Sequence, residues 1–171
     1  MKKIILTYGL ISGALISIFM LVSMSIAKGK QSMGSSEIIG YSAMVIVFSL
    51  IFFGIRSYKN QNPEISLSFG KAFKIGFLIA LIGSTCYVLS WIIFQKFYMP
   101  DFMETYAQSI IESLKEKGAS ESEIQRQTES MNKAKEMYKN PFFMTAITYA
   151  EILPLGLIIS LISAAILRNR K

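Results

Sequence analysis

The chain has 171 residues, of which 52% are apolar, and it carries a formal net charge of +7. It contains no His and a single Cys, Cys86. This composition excludes a His/Cys metal site, an internal disulfide and the commonest general base, and it predicts no cofactor. The apolar residues form unbroken blocks with the charges at their ends, a pattern typical of membrane spans and not of nucleic-acid binding.

Four apolar blocks predict transmembrane segments at about residues 4–27, 38–55, 73–96 and 142–167. At about 1.5 Å of rise per residue, each block reaches roughly across the 30 Å of bilayer hydrocarbon. Lipid offers no partner for backbone polar groups, so these segments must be helices. We therefore expect residues 1–171 to form one membrane domain, an all-α antiparallel bundle of four transmembrane helices.

The first block has an alternative interpretation, because Lys2 and Lys3 precede an apolar run that ends in Ser25-Ile26-Ala27. This order resembles a signal peptide with a small-residue cleavage site. The apolar region of a signal peptide usually spans about 7–15 residues, and this block is clearly longer. The length favours a retained membrane helix.

The distribution of Lys and Arg predicts the orientation in the bilayer. One side of the predicted bundle collects nine basic residues, opposed by the acid Glu64: Lys2, Lys3, Arg56, Lys59, Lys71, Lys74, Arg168, Arg170 and Lys171. The other side carries Lys28, Lys30 and Glu37 in a short loop, and a long loop that mixes acids and bases in nearly equal number. By the positive-inside rule, both termini are expected in the cytoplasm. The group Lys71, Lys74, Arg56 and Lys59 has a second interpretation, which is attraction to anionic lipid headgroups.

The long loop, residues 100–140, is patterned as a helical hairpin on the side away from the cytoplasm. Pro100 can start a first helix, whose apolar residues recur at three- and four-residue spacing, and Gly118 fits its C-terminal cap. Ser120 with Glu123 reads as a capping box for a second helix, which ends before Asn140-Pro141.

Small residues recur every four positions on three of the spans, which lets helix backbones approach closely in lipid. The residues that we expect to pack helices are Gly9, Gly13, Ala72, Gly76, Ala80, Gly156 and Ser160. These rows are expected to build the bundle. The alternative is that one row forms a homodimer.

Glu151 is the strongest candidate for a functional residue, because it is the only acid or base well inside an apolar block. A charge at mid-bilayer costs roughly 2.5–3.5 kcal/mol on insertion scales, so we expect this side chain to face protein or water. Pro154 frees a backbone carbonyl one turn earlier, and Tyr87 and Ser90 lie at comparable depth on the third span. The functional interpretation is a proton or cation site, and the structural one is a hydrogen bond that fixes helix register.

Two stretches of the chain resemble an uncharacterised bacterial integral-membrane family, domain of unknown function 4199. One runs from Ser68-Phe69-Gly70-Lys71-Ala72-Phe73-Lys74 through the third span to Tyr98-Met99-Pro100-Asp101-Phe102, and the other is Glu151-Ile152-Leu153-Pro154 continuing to Ala164. The resemblance implies a bacterial inner membrane, which agrees with the charge distribution. It implies no activity.

The sequence contains no Gly-rich phosphate loop, nucleophile elbow or other catalytic motif, so we expect no enzyme. The first functional hypothesis is a membrane protein that acts through contacts of its outward hairpin with a protein partner or another copy. The alternative is a small transporter or channel component that uses Glu151. Besides these, the expected partner is the lipid bilayer.

Overall fold

The computed structural model describes residues 1–27 and 34–169, which fold into α-helices without a β-strand in these ranges. The helices are α1 (Lys2–Ala27), α2 (Gly34–Phe48), α3 (Leu50–Asn60), α4 (Phe69–Tyr98), α5 (Phe102–Glu116), α6 (Glu121–Tyr138) and α7 (Pro141–Leu167). Four helical segments in this part of the chain are long and apolar enough to cross a membrane: Lys2–Ile26, Ile38–Asn60, Phe69–Tyr98 and Pro141–Leu167. The expected all-α architecture with four spans is confirmed. Lys28, Lys30, Arg170 and Lys171, which entered the charge count, lie outside the described residues.

Helices α2 and α3 form a single span that is interrupted only at Ser49. The Ser49 hydroxyl donates to the carbonyl of Ile46 at 2.6 Å, and the Ser49 amide donates to the carbonyl of Val45 at 3.0 Å. The span continues to Asn60, beyond the predicted end at residue 55. Hydropathy marks the part of a helix that suits lipid, and the backbone hydrogen bonds continue past it into polar sequence.

Helix α4 lies at the centre of the bundle, between α1 and α7, and small residues mark both contacts. A Cβ added at Gly9 or Gly13 of α1 would lie 2.8 Å from Ile82 or 2.5 Å from Cys86 of α4. On the opposite side of α4, a Cβ at Gly156 of α7 would lie 2.8 Å from Ala80. The remaining residues of the predicted small rows, Ala72, Gly76 and Ser160, are buried, and Gly76 lies against Ser160. The rows therefore lie at contacts within one chain.

The end of the bundle that contains the start of α1 is held together by polar contacts from three helices. The Lys59 ammonium group donates to the carbonyl of Leu167 at 2.9 Å, and the Asn169 amide donates to the carbonyl of Leu67 at the same distance. The Lys71 ammonium lies 5.3 Å from the ring centre of Tyr58. These contacts fix the ends of α3 and α7 beside the start of α4.

At the opposite end, α5 and α6 form a pair, called here the α5/α6 pair. The Lys135 ammonium contacts the Glu104 carboxylate at 2.8 Å, which places the end of α6 beside the start of α5. Gly118 has a φ of 71°, and the amides of Gly118 and Ala119 donate to the carbonyls of Lys115 and Leu114. This is a Schellman ending, so the predicted glycine cap is confirmed.

Capping side chains set where α6 and α7 begin. The Ser120 hydroxyl accepts from the Glu123 amide at 3.3 Å, and the Asn140 side chain accepts from the Phe142 amide at 2.9 Å. Each bond satisfies a backbone donor that the first turn of a helix leaves without a partner. Pro141 occupies the first turn of α7, where its missing N–H costs no hydrogen bond.

Candidate functional site

Glu151 lies on α7, ten residues after Pro141, which is about 15 Å along the helix axis. The face of α7 that packs into the bundle is made of Thr148, Ile152, Gly156 and Ser160. Successive residues of an α-helix are about 100° apart, so Glu151 lies on the flank of that face. Its side chain is exposed at the side of the isolated bundle. From the cost of a charge in lipid we expect this side chain to face protein or water. The groups that lie near it are described next.

Tyr87 and Tyr138 lie within electrostatic range of Glu151, and Tyr41 lies within the same range of Tyr87. Tyr87 of α4 is buried, and its phenol lies within electrostatic range of Glu151, of Tyr138 on α6 and of Tyr41 on α2. Tyr41 is about half exposed. The sequence places these residues far apart, and the fold brings one from each of four helices together. We call Glu151, Tyr41, Tyr87 and Tyr138 the carboxylate–tyrosine cluster.

Tyr138 connects this cluster to the α5/α6 pair. Its hydroxyl accepts a hydrogen bond of 2.7 Å from the indole N–H of Trp91 on α4. The Trp91 ring meets Phe102 of α5 edge to face, with 4.7 Å between ring centres, and Phe102 lies 6.4 Å from the Tyr138 ring. One indole therefore holds both α5 and α6 against the end of α4.

Burial raises the pKa of the Tyr138 phenol above its ordinary value, and the negative charge of Glu151 raises it further. Hydrogen bonds with Trp91 and Thr148 oppose part of this shift. The phenol is therefore neutral at physiological pH and able both to accept and to donate a hydrogen bond. Thr148 is one turn before Glu151 on α7, so the same phenol spans from α4 to the helix that carries the acid.

The other predicted site residues flank the cluster. Ser90 is half-buried on α4, one turn beyond Tyr87. Pro154 is exposed on α7, one turn beyond Glu151, and the helix continues through it to Leu167. Since proline has no N–H, the carbonyl of Ala150 lacks its usual helical donor beside the acid.

A second polar link between α4 and α7 lies close to the cluster. The Tyr149 hydroxyl donates to the Thr85 hydroxyl oxygen at 2.9 Å, and Thr85 in turn donates to the carbonyl of Leu81. Both side chains are half-buried. This link helps to fix the register of α7 on α4.

The cluster combines one carboxyl group with three phenol groups. A phenol can donate a hydrogen bond to an ionised carboxylate and accept one from a neutral carboxyl group. Among residues 1–27 and 34–169, no group of three or more His, Cys, Asp or Glu residues could hold a metal ion.

Sequence reasoning identified Glu151 and Tyr87 but missed Tyr41, Tyr138, Thr148 and the Tyr149–Thr85 link. One signal was available for Thr148, because a residue three positions before Glu151 lies on nearly the same helix face. Tyr138 stands seven residues after Met131, which stands seven after Ile124, and this spacing marks it as part of the packed stripe of α6. The spacing does not show that the stripe ends beside a membrane acid.

Residues 7–169 match the family described as a protein of unknown function, DUF4199. The chain belongs to the DUF4199 family. The match confirms the resemblance carried by the two stretches of sequence, and no curated protein or solved structure matches the chain. The DUF4199 match includes the carboxylate–tyrosine cluster and the α5/α6 pair. This DUF4199 protein is thus a helical protein with four membrane-crossing segments, and its role must be argued from its own residues.

Proposed function

We propose that this DUF4199 protein is a bacterial inner-membrane protein without enzymatic activity, which works through contacts made by its α5/α6 pair outside the cytoplasm. Both termini would lie in the cytoplasm, because the basic residues collect at the end of the bundle that contains the start of α1. This orientation places the α5/α6 pair on the opposite side of the membrane.

The observation that supports this proposal is that the α5/α6 pair is held in place and yet is exposed. No residue of Phe102–Glu116 or Glu121–Tyr138 is fully buried by the described part of the chain, although Phe102 and Tyr138 are half-buried. Contacts of Trp91 with Tyr138 and Phe102 nevertheless fix the pair on α4. A pair of amphipathic helices that is positioned but uncovered has the properties of an interaction surface.

A groove of about 260 Å³ runs between the two helices. Apolar residues at its base are Ala107, Ile111 and Met131, and its rim carries both acids and bases, Glu104, Glu112, Lys115 and Lys135. A surface with both signs of charge around an apolar centre can pair with a second copy about a two-fold axis when each charge meets its opposite. The occupant that we propose is therefore the α5/α6 pair of a second copy of this chain.

Site-directed disulfide crosslinking in native membranes tests this contact. Cys86 is first replaced (Cys86→Ala), and Gln108→Cys then places one thiol in the groove, where a two-fold axis would bring it close to its copy. Oxidation should give a dimer of twice the monomer mass. The matched control is Ser130→Cys, which is exposed on α6 but does not line the groove, and it should remain monomeric. Monomer alone from the Gln108→Cys variant, or a product with the mass of a different protein, would overturn the proposal.

The carboxylate–tyrosine cluster favours a second candidate function, movement of a proton or cation across the membrane. An acid that stands alone in a span argues against a transport path, but α4 and α6 bring the phenol groups of Tyr87 and Tyr138 near this one. An ionised carboxylate at this depth is costly, so Glu151 is suited to gain and lose a proton as its surroundings change.

Flux measured in liposomes distinguishes transport from a structural hydrogen bond. Under the transport hypothesis, Glu151→Gln abolishes acidification of the lumen reported by a trapped pH dye, whereas Glu64→Gln, an exposed acid at the opposite end, leaves it unchanged. Glutamine keeps a hydrogen-bonding group, so the variant should fold. Undiminished flux in the Glu151→Gln protein, or wild-type flux equal to that of empty liposomes, would remove this function.

A further inference from the structure

An open pocket of about 360 Å³ lies between α1 and α3, at the end of the bundle opposite to the α5/α6 pair. Its lining residues are Tyr8, Phe53, Arg56, Ser57, Asn60 and Gln61. The pocket lies far from the carboxylate–tyrosine cluster, and no contact described so far uses it.

The pocket exists because glycine allows α1 and α3 to approach. A Cβ at Gly54 would lie 3.2 Å from the Tyr8 ring and 2.6 Å from the Ile79 side chain. The Tyr8 ring therefore rests against the backbone of α3 and forms one wall. The wall on the side of the membrane is completed by Phe53, which is 49% exposed and so offers an aromatic surface to a ligand.

The polar side of the pocket carries groups that can donate hydrogen bonds. Arg56 carries a guanidinium group, which matches the oxygens of a phosphate in a two-pronged geometry. Ser57 accepts a hydrogen bond of 3.1 Å from the Gln61 side-chain amide, which leaves its own O–H to donate. Asn60 adds a further amide one turn beyond Arg56. Among residues 1–27 and 34–169, no carboxylate lines the pocket, and Glu64 is the acid nearest in sequence to its lining residues.

The position along the span indicates where the ligand comes from. Apolar sequence in the second span ends at Ile55, so Arg56 lies at the boundary between hydrocarbon and headgroups and Phe53 lies one turn inside it. A ligand that fits both walls has a phosphate at headgroup depth and an apolar chain that runs along an exposed aromatic ring.

We propose that this pocket binds the phosphate of an anionic phospholipid, with Arg56 as the charged contact and Asn60 as a neutral one. The basic residues near this end attract an anionic membrane surface without selecting a site. A pocket lined by both a guanidinium group and amide groups adds a contact that depends on particular side chains, including uncharged ones.

Native mass spectrometry of the full chain, titrated with phosphatidylglycerol, measures the Kd of the first bound lipid. One basic residue near an anionic surface contributes a factor of about five in affinity. Arg56→Gln should weaken binding by at least that factor, and Asn60→Ala should weaken it without any change in charge. The matched control is Lys74→Gln, which removes one exposed charge at the same end but does not line the pocket, and it should weaken binding less than Arg56→Gln does.

Three outcomes would overturn the proposal. Equal weakening by Arg56→Gln and Lys74→Gln, with no effect of Asn60→Ala, would show attraction by surface charge alone. Competition by inorganic phosphate at millimolar concentration would identify a free anion as the ligand. Equally tight binding of phosphatidylcholine would exclude selectivity for an anionic lipid. Arg56, Asn60 and Lys74 are all exposed, so the three variants should fold, and thermal unfolding in detergent verifies this.

Discussion

Replacement of Gly156 by Ala should destabilise the bundle, although alanine is the better helix former. The added methyl group would lie 2.8 Å from the Cβ of Ala80 on α4, whereas carbon atoms in contact prefer about 3.5–4.0 Å. Helices α4 and α7 would have to separate by about 0.7 Å at this point, because neither Cβ can rotate away.

The size of the effect follows from two opposing terms. Overpacking of this kind costs about 1–3 kcal/mol, and the change from glycine to alanine in a helix returns about 1 kcal/mol. We expect a net loss of about 1 kcal/mol. Gly40→Ala is the matched control, since an added Cβ there meets nothing within 4 Å, and it should stabilise the protein by roughly 0.5–1 kcal/mol.

The stability of both variants is measured by unfolding with SDS in mixed micelles. The fluorescence of Trp91, the only Trp of the chain, follows the unfolding. The double variant Ala80→Gly/Gly156→Ala moves one methyl group from α4 to α7 and should recover most of the lost stability. If Gly156→Ala and Gly40→Ala proved equally stable, the contact between α4 and α7 would not have the geometry described here.

Three further perturbations test the α5/α6 pair. Trp91→Phe and Tyr138→Phe should each destabilise the attachment of the pair by about 1 kcal/mol, and the double variant should cost less than their sum, because both remove the same hydrogen bond. Hydrogen exchange of the α6 amides measures this loss, and additive losses would contradict the prediction. Since the pKa of Tyr138 is raised in the folded protein, the unfolded chain loses the proton first, so stability should fall as the pH rises above about 10. When the free energy of unfolding is measured against pH, Tyr138→Phe should show a smaller fall than the wild type, and an identical fall would refute the assignment. Gly118→Ala places a side chain at a φ of 71° and should lower the stability of the α5/α6 pair by about 1–2 kcal/mol, so that a protease cleaves faster between α5 and α6. An unchanged rate of cleavage would argue against the Schellman ending.

The sequence was sufficient for the parts of the fold that depend on local physics. Unbroken apolar blocks locate the four spans, and the cap at Gly118 follows from the freedom of glycine to adopt a positive φ. The ends of the spans were less predictable. α3 runs on to Asn60 and α4 begins at Phe69, because helical hydrogen bonding does not stop where hydropathy falls.

The candidate site could be predicted only in part, because it is a product of tertiary structure. The cost of a charge in lipid makes Glu151 conspicuous in any sequence. The other cluster residues Tyr41 and Tyr138 stand 110 and 13 residues before Glu151 in the chain, and nothing in their local sequence distinguishes them from interfacial tyrosines. Likewise, the rows of small residues indicate close helix packing, but they do not identify the contacts of Gly13 with Cys86 and of Gly156 with Ala80.

The central claim is that four helices cross the membrane and leave the α5/α6 pair on the side opposite to both termini. Reporters that are active on only one side of the inner membrane, fused at the N-terminus, at Gly118 and at the C-terminus, test it directly. We predict that the two terminal fusions report the cytoplasm and that the fusion at Gly118 reports the other side. Terminal fusions on opposite sides, or a fusion at Gly118 that reports the cytoplasm, would contradict the four-span account.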